Sequence, residues 1–167
     1  LSDQDIQKEM RKGSIGIDPF NDAHLKGGSY TLTLGEQLYR LKETDFIDLR
    51  QEKQEYEEIS FNKEGYLLSP GEFLLGKSQE TLTLSSNIAA LVMTRASLAQ
   101  VGLDVVQSSL FAEPGTNGFM ALEIHNGGNI SILLFPGMKM AKVIFFPLSS
   151  ASEHSDDSNF FKKQEDA

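Results

Sequence analysis

Short segments of alternating apolar and polar residues, separated by turn residues, run along most of the chain. Residues 29–35 (SYTLTLG) and 81–84 (TLTL) alternate one by one, which is typical of strands with one buried face. Residues 88–93 and 138–146 are more continuously apolar, as in strands covered on both faces. These signals recur about every ten residues with Pro-Gly or Gly-rich turns between them, and they predict an all-β barrel or jelly roll.

Several shorter elements are predicted from local signals. Ser2, with Asp5 three residues later, forms a capping-box pattern that begins a helix, and Gly13 ends it. Further strands are expected at the segments 46–49, 73–76, 119–125 and 130–135, and residues 38–41 are expected to pair back on 29–35. The mostly charged residues 50–58 are interpreted as a solvated loop.

Length and charge restrict the classes of protein that fit. The 167 residues suit one domain, with a barrel over 1–148 and a polar tail over 149–167 that is either disordered or orders over a ligand. The net charge of −9 gives no basic excess, so we expect no nucleic-acid partner. With no cysteine there is no disulfide and no thiolate site. No apolar run is long enough to span a bilayer and no signal peptide opens the chain, so we expect a cytoplasmic protein without a membrane partner.

One carboxylate stands inside an apolar strand. In 119–125 the residues Phe119, Ala121, Glu123 and His125 face one way, and both faces are largely apolar up to Glu123. An enclosed carboxylate is costly to ionise, and the resulting rise in pKa suits a group that takes and gives a proton near neutral pH. The alternative, a glutamate paired with an arginine at a subunit interface, is equally compatible with this pattern.

Two other segments carry chemistry. Arg95 and Ser97 follow an apolar strand and are candidates for holding a phosphate, with Gly102 permitting a tight turn; a surface or interface role is the alternative. Glu113 precedes a Pro-Gly turn, where it either accepts a sugar hydroxyl or is simply a turn residue. His125 has no second histidine or cysteine at ligand spacing, so no zinc site is expected.

Eight segments spread over almost the whole chain resemble the dCTP deaminase branch of the dUTPase-like superfamily. Residues 95–103 (RASLAQVGL) resemble its R-S-S-L-A-R-x-G-L, 113–118 (EPGTNG) its D-P-G-W-x-G, and 122–126 (LEIHN) its L-E-F-x-N. The others are 1–6, 13–17, 29–35, 68–73 and 136–141. Their shared order and spacing make the resemblance specific.

The resemblance implies a distorted jelly-roll β-barrel of the dUTPase-like (β-clip) type with a short N-terminal helix, assembled as a homotrimer with sites between subunits. It implies hydrolytic deamination of dCTP to dUTP and ammonia, with Glu123 as general acid/base. No metal would act in the chemistry, and Mg²⁺ would be bound through the triphosphate. Nucleotide contacts would come from Arg95, Ala96, Ser97, Gln100, Ser109, Glu113, Ala121, Leu122, Lys163 and Gln164.

The chain departs from the family pattern at several of these positions. Ala96 replaces a serine, Gln100 an arginine, and Glu113 an aspartate, while Leu110 and Phe111 stand where His-Arg is common. Loss of one charge-assisted phosphate contact at position 100 is worth roughly tenfold to hundredfold in affinity. Three alternatives follow: a bifunctional deaminase/dUTPase, a dUTPase, or a non-catalytic nucleotide-binding trimer. A dUTPase is disfavoured because the tail lacks a Gly-rich motif and Glu113 replaces the water-activating aspartate.

Overall fold

The structure is a computed structural model, and it describes residues 1–50 and 54–154. It begins with the helix α1, Asp3–Lys12, which the Ser2 side chain caps by accepting the backbone N–H of Asp5. The Asp5 carboxylate accepts the Ser2 N–H in return, so the predicted capping box is confirmed. Gly13 ends the helix in the left-handed conformation, with φ of 78°, as its residue type favours.

Strands make up most of the remaining described chain. They are β1 Ile15–Asp18, β2 Leu25–Lys26, β3 Ser29–Leu41, β4 Tyr56–Ser60, β5 Tyr66–Leu68, β6 Phe73–Leu84, β7 Ile88–Thr94, β8 Leu103–Asp104, β9 Phe111–Ala112, β10 Asn117–Asn126, β11 Ile132–Leu134 and β12 Lys139–Pro147. A four-residue helix, α2 (Ala96–Ala99), follows β7. A single 3₁₀ turn, Asp22–His24, precedes β2.

Ten of these strands form one antiparallel sheet, and β5 pairs with β11 separately. The main path runs β8-β10-β6-β3-β12-β7-β9, with β1 on β6 and both β2 and β4 on β3. The sheet curls into a half-barrel, which confirms the predicted all-β fold with a short N-terminal helix. Residue alternation in β3, β6, β10 and β12 sends one set of side chains into a common core that includes Tyr30, Leu82, Ile124 and Phe145.

An ionic network holds the turn that precedes β6. Arg40 in β3 donates to the Tyr66 hydroxyl at 2.6 Å and to the Glu72 carboxylate at 2.9 Å. Glu72 also accepts hydrogen bonds from the Tyr66 hydroxyl and from the backbone N–H of Ser69. Partial burial acts to raise the pKa of Glu72, but these hydrogen bonds outweigh it and hold the pKa below its usual value.

Several element predictions are wrong. Residues 38–41 do not pair back on 29–35, because β3 continues straight through both. Likewise 73–76 and 81–84 are one strand, β6. Residues 46–49 form no strand, and Phe46 and Leu49 are 75% and 88% exposed. The charged run 50–58 was predicted to be a loop, but β4 begins within it at Tyr56 and pairs with β3. The loop prediction is therefore wrong for residues 56–58.

In the part of the chain that the structure describes, no helix is long and apolar enough to cross a membrane. The predicted tail contacts Lys163 and Gln164 lie outside the described residues.

Candidate functional site

A cavity of about 460 Å³ opens beside β10 and contains four of the predicted site residues, Ser109, Glu113, Ala121 and Glu123. Its remaining lining residues are Tyr56, Phe73, Leu75, Phe111, Ala112, Thr116, Asn117, Phe119 and Met120. A volume of this size lies within the range of small-molecule sites. We refer to it below as the Glu123 cavity.

The register of β10 explains which side chains reach the cavity. Leu122 and Ile124 are fully buried in the core, so Ala121 and Glu123 face the opposite side of the strand. The pairing of β10 with β6 shifts between Phe119 and Ala121, whose partners are Thr81 and Lys77. Three residues of β6, 78–80, therefore face the single residue Met120, and the bulge lies on β6. The Met120 N–H there bonds the Ser78 hydroxyl at 2.8 Å. A bulge of this kind re-aims the side chains beside it.

Glu123 is held by the loop between β8 and β9. Its carboxylate Oε2 accepts the backbone N–H of Gln107 at 2.7 Å, and its own N–H donates to the Val105 carbonyl at 2.9 Å. The side chain is half-buried, so the prediction of an enclosed carboxylate is wrong for a single chain. A carboxylate that is anchored at one oxygen and open to a cavity at the other is suited to proton transfer with a bound ligand.

Glu113 lies on the turn before β10. Its backbone carbonyl accepts the N–H of Thr116 at 3.1 Å and the Thr116 hydroxyl at 2.7 Å. Gly115 has a φ of 87°, a conformation that glycine adopts without strain. The turn thus places a second, exposed carboxylate on the lining of the Glu123 cavity.

The other predicted contacts lie elsewhere in the chain. Arg95 is the N-cap residue of α2, and its guanidinium donates to the Lys139 carbonyl at 3.1 Å. Ala96, Ser97 and Gln100 are exposed, and neither they nor Arg95 line the Glu123 cavity of the same chain. The predicted role of Leu122 is limited to its backbone, because its side chain is fully buried.

Gly102 makes the tight approach predicted for it. Its φ is 81°, and an added Cβ would lie 2.8 Å from the backbone nitrogen of Gly128. Any larger residue would therefore push the end of the α2 segment away from the turn that follows β10.

Sequence reasoning missed most of the cavity's aromatic lining. Tyr56 belongs to a run that was interpreted as loop, and burial raises the pKa of its hydroxyl. Phe73 is the first residue of β6, the strand that pairs with β10. Phe119 shares a strand face with Glu123, a signal visible in the sequence, and the Lys77 ammonium lies 3.9 Å from its ring centre.

The cavity lining is uneven in charge. Its charged residues among the described part of the chain are Glu113 and Glu123, and no lysine or arginine joins them. The same described ranges hold no cluster of three or more His, Cys, Asp or Glu that could bind a metal ion. The cavity therefore offers a ligand aromatic rings and two carboxylates, together with the polar side chains of Ser109, Thr116 and Asn117.

Comparison with known proteins assigns the family. The family model described as dCTP deaminase-like matches residues 1–148. The chain belongs to the dCTP deaminase family. The enzyme of this family in Rhodococcus opacus (strain B4) is 36% identical over 158 residues, covering 92% of this chain and 84% of its own length, and is named "dCTP deaminase, dUMP-forming". A protein of the same name from Mycobacterium tuberculosis (strain ATCC 25618 / H37Rv) is 36% identical over 159 residues, covering 92% of this chain and 83% of its own.

Solved structures support the fold of this dCTP deaminase family member. The 2'-deoxycytidine 5'-triphosphate deaminase from Agrobacterium tumefaciens superposes with a TM-score of 0.68 at 18% identity, covering 89% of this chain. This chain spans about half (48%) of that protein's length. The dUTPase of Staphylococcus bacteriophage 80alpha superposes with a TM-score of 0.52 at 10% identity, covering 87% of this chain and 97% of its own.

Proposed function

We propose that this enzyme converts dCTP into dUMP, by deaminating the cytosine ring and also cleaving the triphosphate. The observation that carries the proposal is the placement of two carboxylates, Glu123 and Glu113, on one cavity. Relatives that share about a third of its residues over most of both chains are named as dUMP-forming enzymes. That name favours dUMP over the dUTP expected from the sequence.

Glu123 is the proton carrier of the deamination. Its carboxylate takes a proton from a water that adds to C4 of the cytosine, and the proton passes to N3 of the ring. Glu123 then moves the proton of the new C4 hydroxyl to the exocyclic amine. The C4–N bond breaks, ammonia leaves, and the C4 carbonyl of uracil forms. The Gln107 N–H on Oε2 leaves Oε1 to exchange protons with the water and the base.

The second reaction breaks the bond between the α-phosphorus and the oxygen that bridges to the β-phosphate. A water supplies the new oxygen, and diphosphate leaves. Glu113 is the residue we assign to position this water or the sugar, since it lines the cavity on a turn facing away from the core. Mg²⁺ held by the triphosphate supplies charge neutralisation when bound, and the protein side chains orient the nucleotide around it.

The active enzyme is proposed to be a homotrimer with shared sites. The Glu123 cavity has no cation in its lining within one described chain, yet a triphosphate needs one. Arg95 and Ser97 are displayed away from their own cavity and would complete the cavity of a neighbouring subunit. Ala96 lies between them on α2, and Gln100 at the C-cap of this helix offers an uncharged contact.

An apolar surface suited to such an assembly lies on the outer face of β7, β9 and β12. Its apolar members are Leu91, Met93, Phe111, Ile144 and Phe146, and Lys142 lies on the same face opposite Met93. Met93 is 37% and Phe111 44% exposed, and the rings of Phe111 and Phe146 lie 6.1 Å apart. Exposed apolar patches of this kind commonly mark protein–protein contacts.

Further nucleotide contacts complete the proposal. Ser109 lines the cavity, and the backbone of Ala121 and Leu122 would read the base edge. Lys163 and Gln164 of the tail would close over the phosphates.

A product assay tests the reaction. The enzyme is incubated with dCTP and Mg²⁺, ammonia is measured, and nucleotides are separated by chromatography. Ammonia with dUMP and diphosphate is expected. Ammonia with dUTP alone would restrict the enzyme to deamination, and no product despite nucleotide binding would favour the non-catalytic alternative.

The role of Glu123 is tested by Glu123→Gln, which keeps the shape of the side chain but cannot carry the proton. We expect ammonia release to fall by at least about a thousandfold, in line with general acid–base contributions, while dCTP still binds. Glu64→Gln, an exposed carboxylate outside the cavity, is the matched control and should match wild type. Turnover of Glu123→Gln within a few-fold of wild type would disprove the assignment.

A further inference from the structure

The Thr94 side chain joins the end of β7 to the loop that holds Glu123. Its hydroxyl oxygen accepts the backbone N–H of Val105 at 3.0 Å and lies 3.3 Å from a carboxylate oxygen of Asp104. Asp104 itself pairs with His125 across β8 and β10. One hydroxyl on β7 therefore fixes the backbone at Val105, where β8 ends and the loop to β9 begins.

The same loop contacts Glu123 at two points. The Val105 carbonyl accepts the Glu123 N–H, and the Gln107 N–H donates to Oε2. The side chains of Val105 and of the next residue, Val106, are buried, which anchors the loop to the core. Thr94 and Glu123 thus both bond the backbone of Val105. The Thr94 hydroxyl accepts the Val105 N–H, and the Glu123 N–H donates to the Val105 carbonyl.

We propose that Thr94 is a positioning residue for the Glu123 carboxylate. The inference rests on the proposed function, in which Glu123 carries the proton. Without the hydroxyl, the Val105 N–H loses its partner and the loop can shift, which moves the Gln107 N–H away from Oε2. A carboxylate freed in this way samples rotamers that do not face the ligand, so fewer encounters lead to proton transfer.

The matched pair Thr94→Val and Thr94→Ser separates the hydroxyl from the side-chain volume. Valine keeps the branched shape that strands favour but has no hydroxyl, whereas serine keeps the hydroxyl. We expect kcat for ammonia release to fall about tenfold in Thr94→Val, the consequence of one lost positioning hydrogen bond. Thr94→Ser should stay within about twofold of wild type. Thermal melting checks that both variants are folded.

Two readouts distinguish positioning from a merely structural role. The kcat lost in Thr94→Val should be restored in Thr94→Ser, because serine returns the hydroxyl that accepts the Val105 N–H. The KM for dCTP should stay nearly constant. Because Thr94 precedes Arg95, a rise in KM with unchanged kcat would instead mean that the phosphate segment moved, and it would overturn the inference.

A measurement independent of turnover completes the test. In ¹⁵N-labelled wild-type protein, the Gln107 amide should exchange slowly with solvent because it donates to Glu123 Oε2, and this amide response should weaken in Thr94→Val but not in Thr94→Ser. An unchanged response in Thr94→Val would refute the positioning role. If wild type releases no ammonia, the proposed function fails, and the amide response still decides whether Thr94 orients Glu123.

Discussion

Asn126, at the end of β10, provides the sharpest test of how the site is held in place. The side chain is fully buried and makes three hydrogen bonds to backbone groups. Its amide nitrogen donates to the carbonyls of Leu68 at 3.1 Å and Ile130 at 2.9 Å, and its oxygen accepts the N–H of Gly128 at 3.0 Å. Replacing Asn126 by alanine removes all three bonds, so the two carbonyls and the N–H lose their side-chain partner.

The cost follows from those three groups. Each buried polar group left unsatisfied costs about 1–3 kcal/mol, and solvent entering the space recovers part of it, so we expect a loss of about 3–5 kcal/mol in the free energy of unfolding. For a protein of this size each kcal/mol lowers the melting temperature by about 2–4 °C, which gives a fall of about 6–20 °C. Asn126→Asp should be at least as damaging, because it loses both donors and places a charge beside two carbonyls.

Calorimetry at fixed protein concentration measures the effect, since association also alters the melting temperature. Asn129→Ala is the matched control: the same residue type, three positions along, but exposed. We expect the control to melt within about 1 °C of wild type, as surface substitutions usually do. If Asn126→Ala melted as close to wild type as the control, the three bonds would contribute nothing net, and the reasoning would be wrong.

Three further predictions address the second carboxylate, the ionic network and the assembly. Glu113→Gln should slow dUMP and diphosphate formation more than ammonia release, so that dUTP accumulates in the product assay; equal slowing of both would contradict separate roles. Since the pKa of Glu72 is held below its usual value, its stabilisation is present above the unfolded carboxyl pKa of about 4.3 and is lost as pH falls through the lower folded pKa. Urea unfolding between about pH 3 and 5 should therefore show a steeper acid loss in wild type than in Glu72→Gln, and parallel curves would count against it. Met93→Glu should reduce the sedimenting mass from about three times 18.5 kDa to that of smaller species, whereas a monomeric wild type would disprove the trimer.

Much of the fold could be predicted from the sequence because local rules agreed with the tertiary structure. The capping box at Ser2 and the alternation of β3 and β10 depend on neighbours close in sequence. The joining of 73–76 and 81–84 into one strand was missed, because the polar residues between them belong to the same strand. Ser78 and Glu80, which look like turn residues, are buried there and satisfied by bonds such as that of Glu80 to the Thr33 N–H at 2.8 Å.

The candidate site was predicted only in part for a similar reason. Glu123 and Glu113 stand out from the strand pattern and the turn before it, whereas Ala121 and Ser109 are implied only by the family resemblance. Tyr56 reaches the cavity from a strand far away in sequence, and no local signal indicates that approach. The hydrogen bond from Gln107 to the Glu123 carboxylate is donated by a backbone N–H, a group that every residue except proline carries. The residue type at position 107 therefore does not predict it.

The alternation along β10 has a consequence for how such a chain can change over evolutionary time. Odd-numbered positions from 121 to 125 face the ligand side, and the even-numbered Leu122 and Ile124 fill the core. Inserting or deleting a single codon between Met120 and Asn126 would exchange the two sets, sending Glu123 into the interior. Single-residue length changes are therefore disfavoured in this strand, and diversification is expected by substitution there or by insertions in the surrounding loops, where no such parity applies.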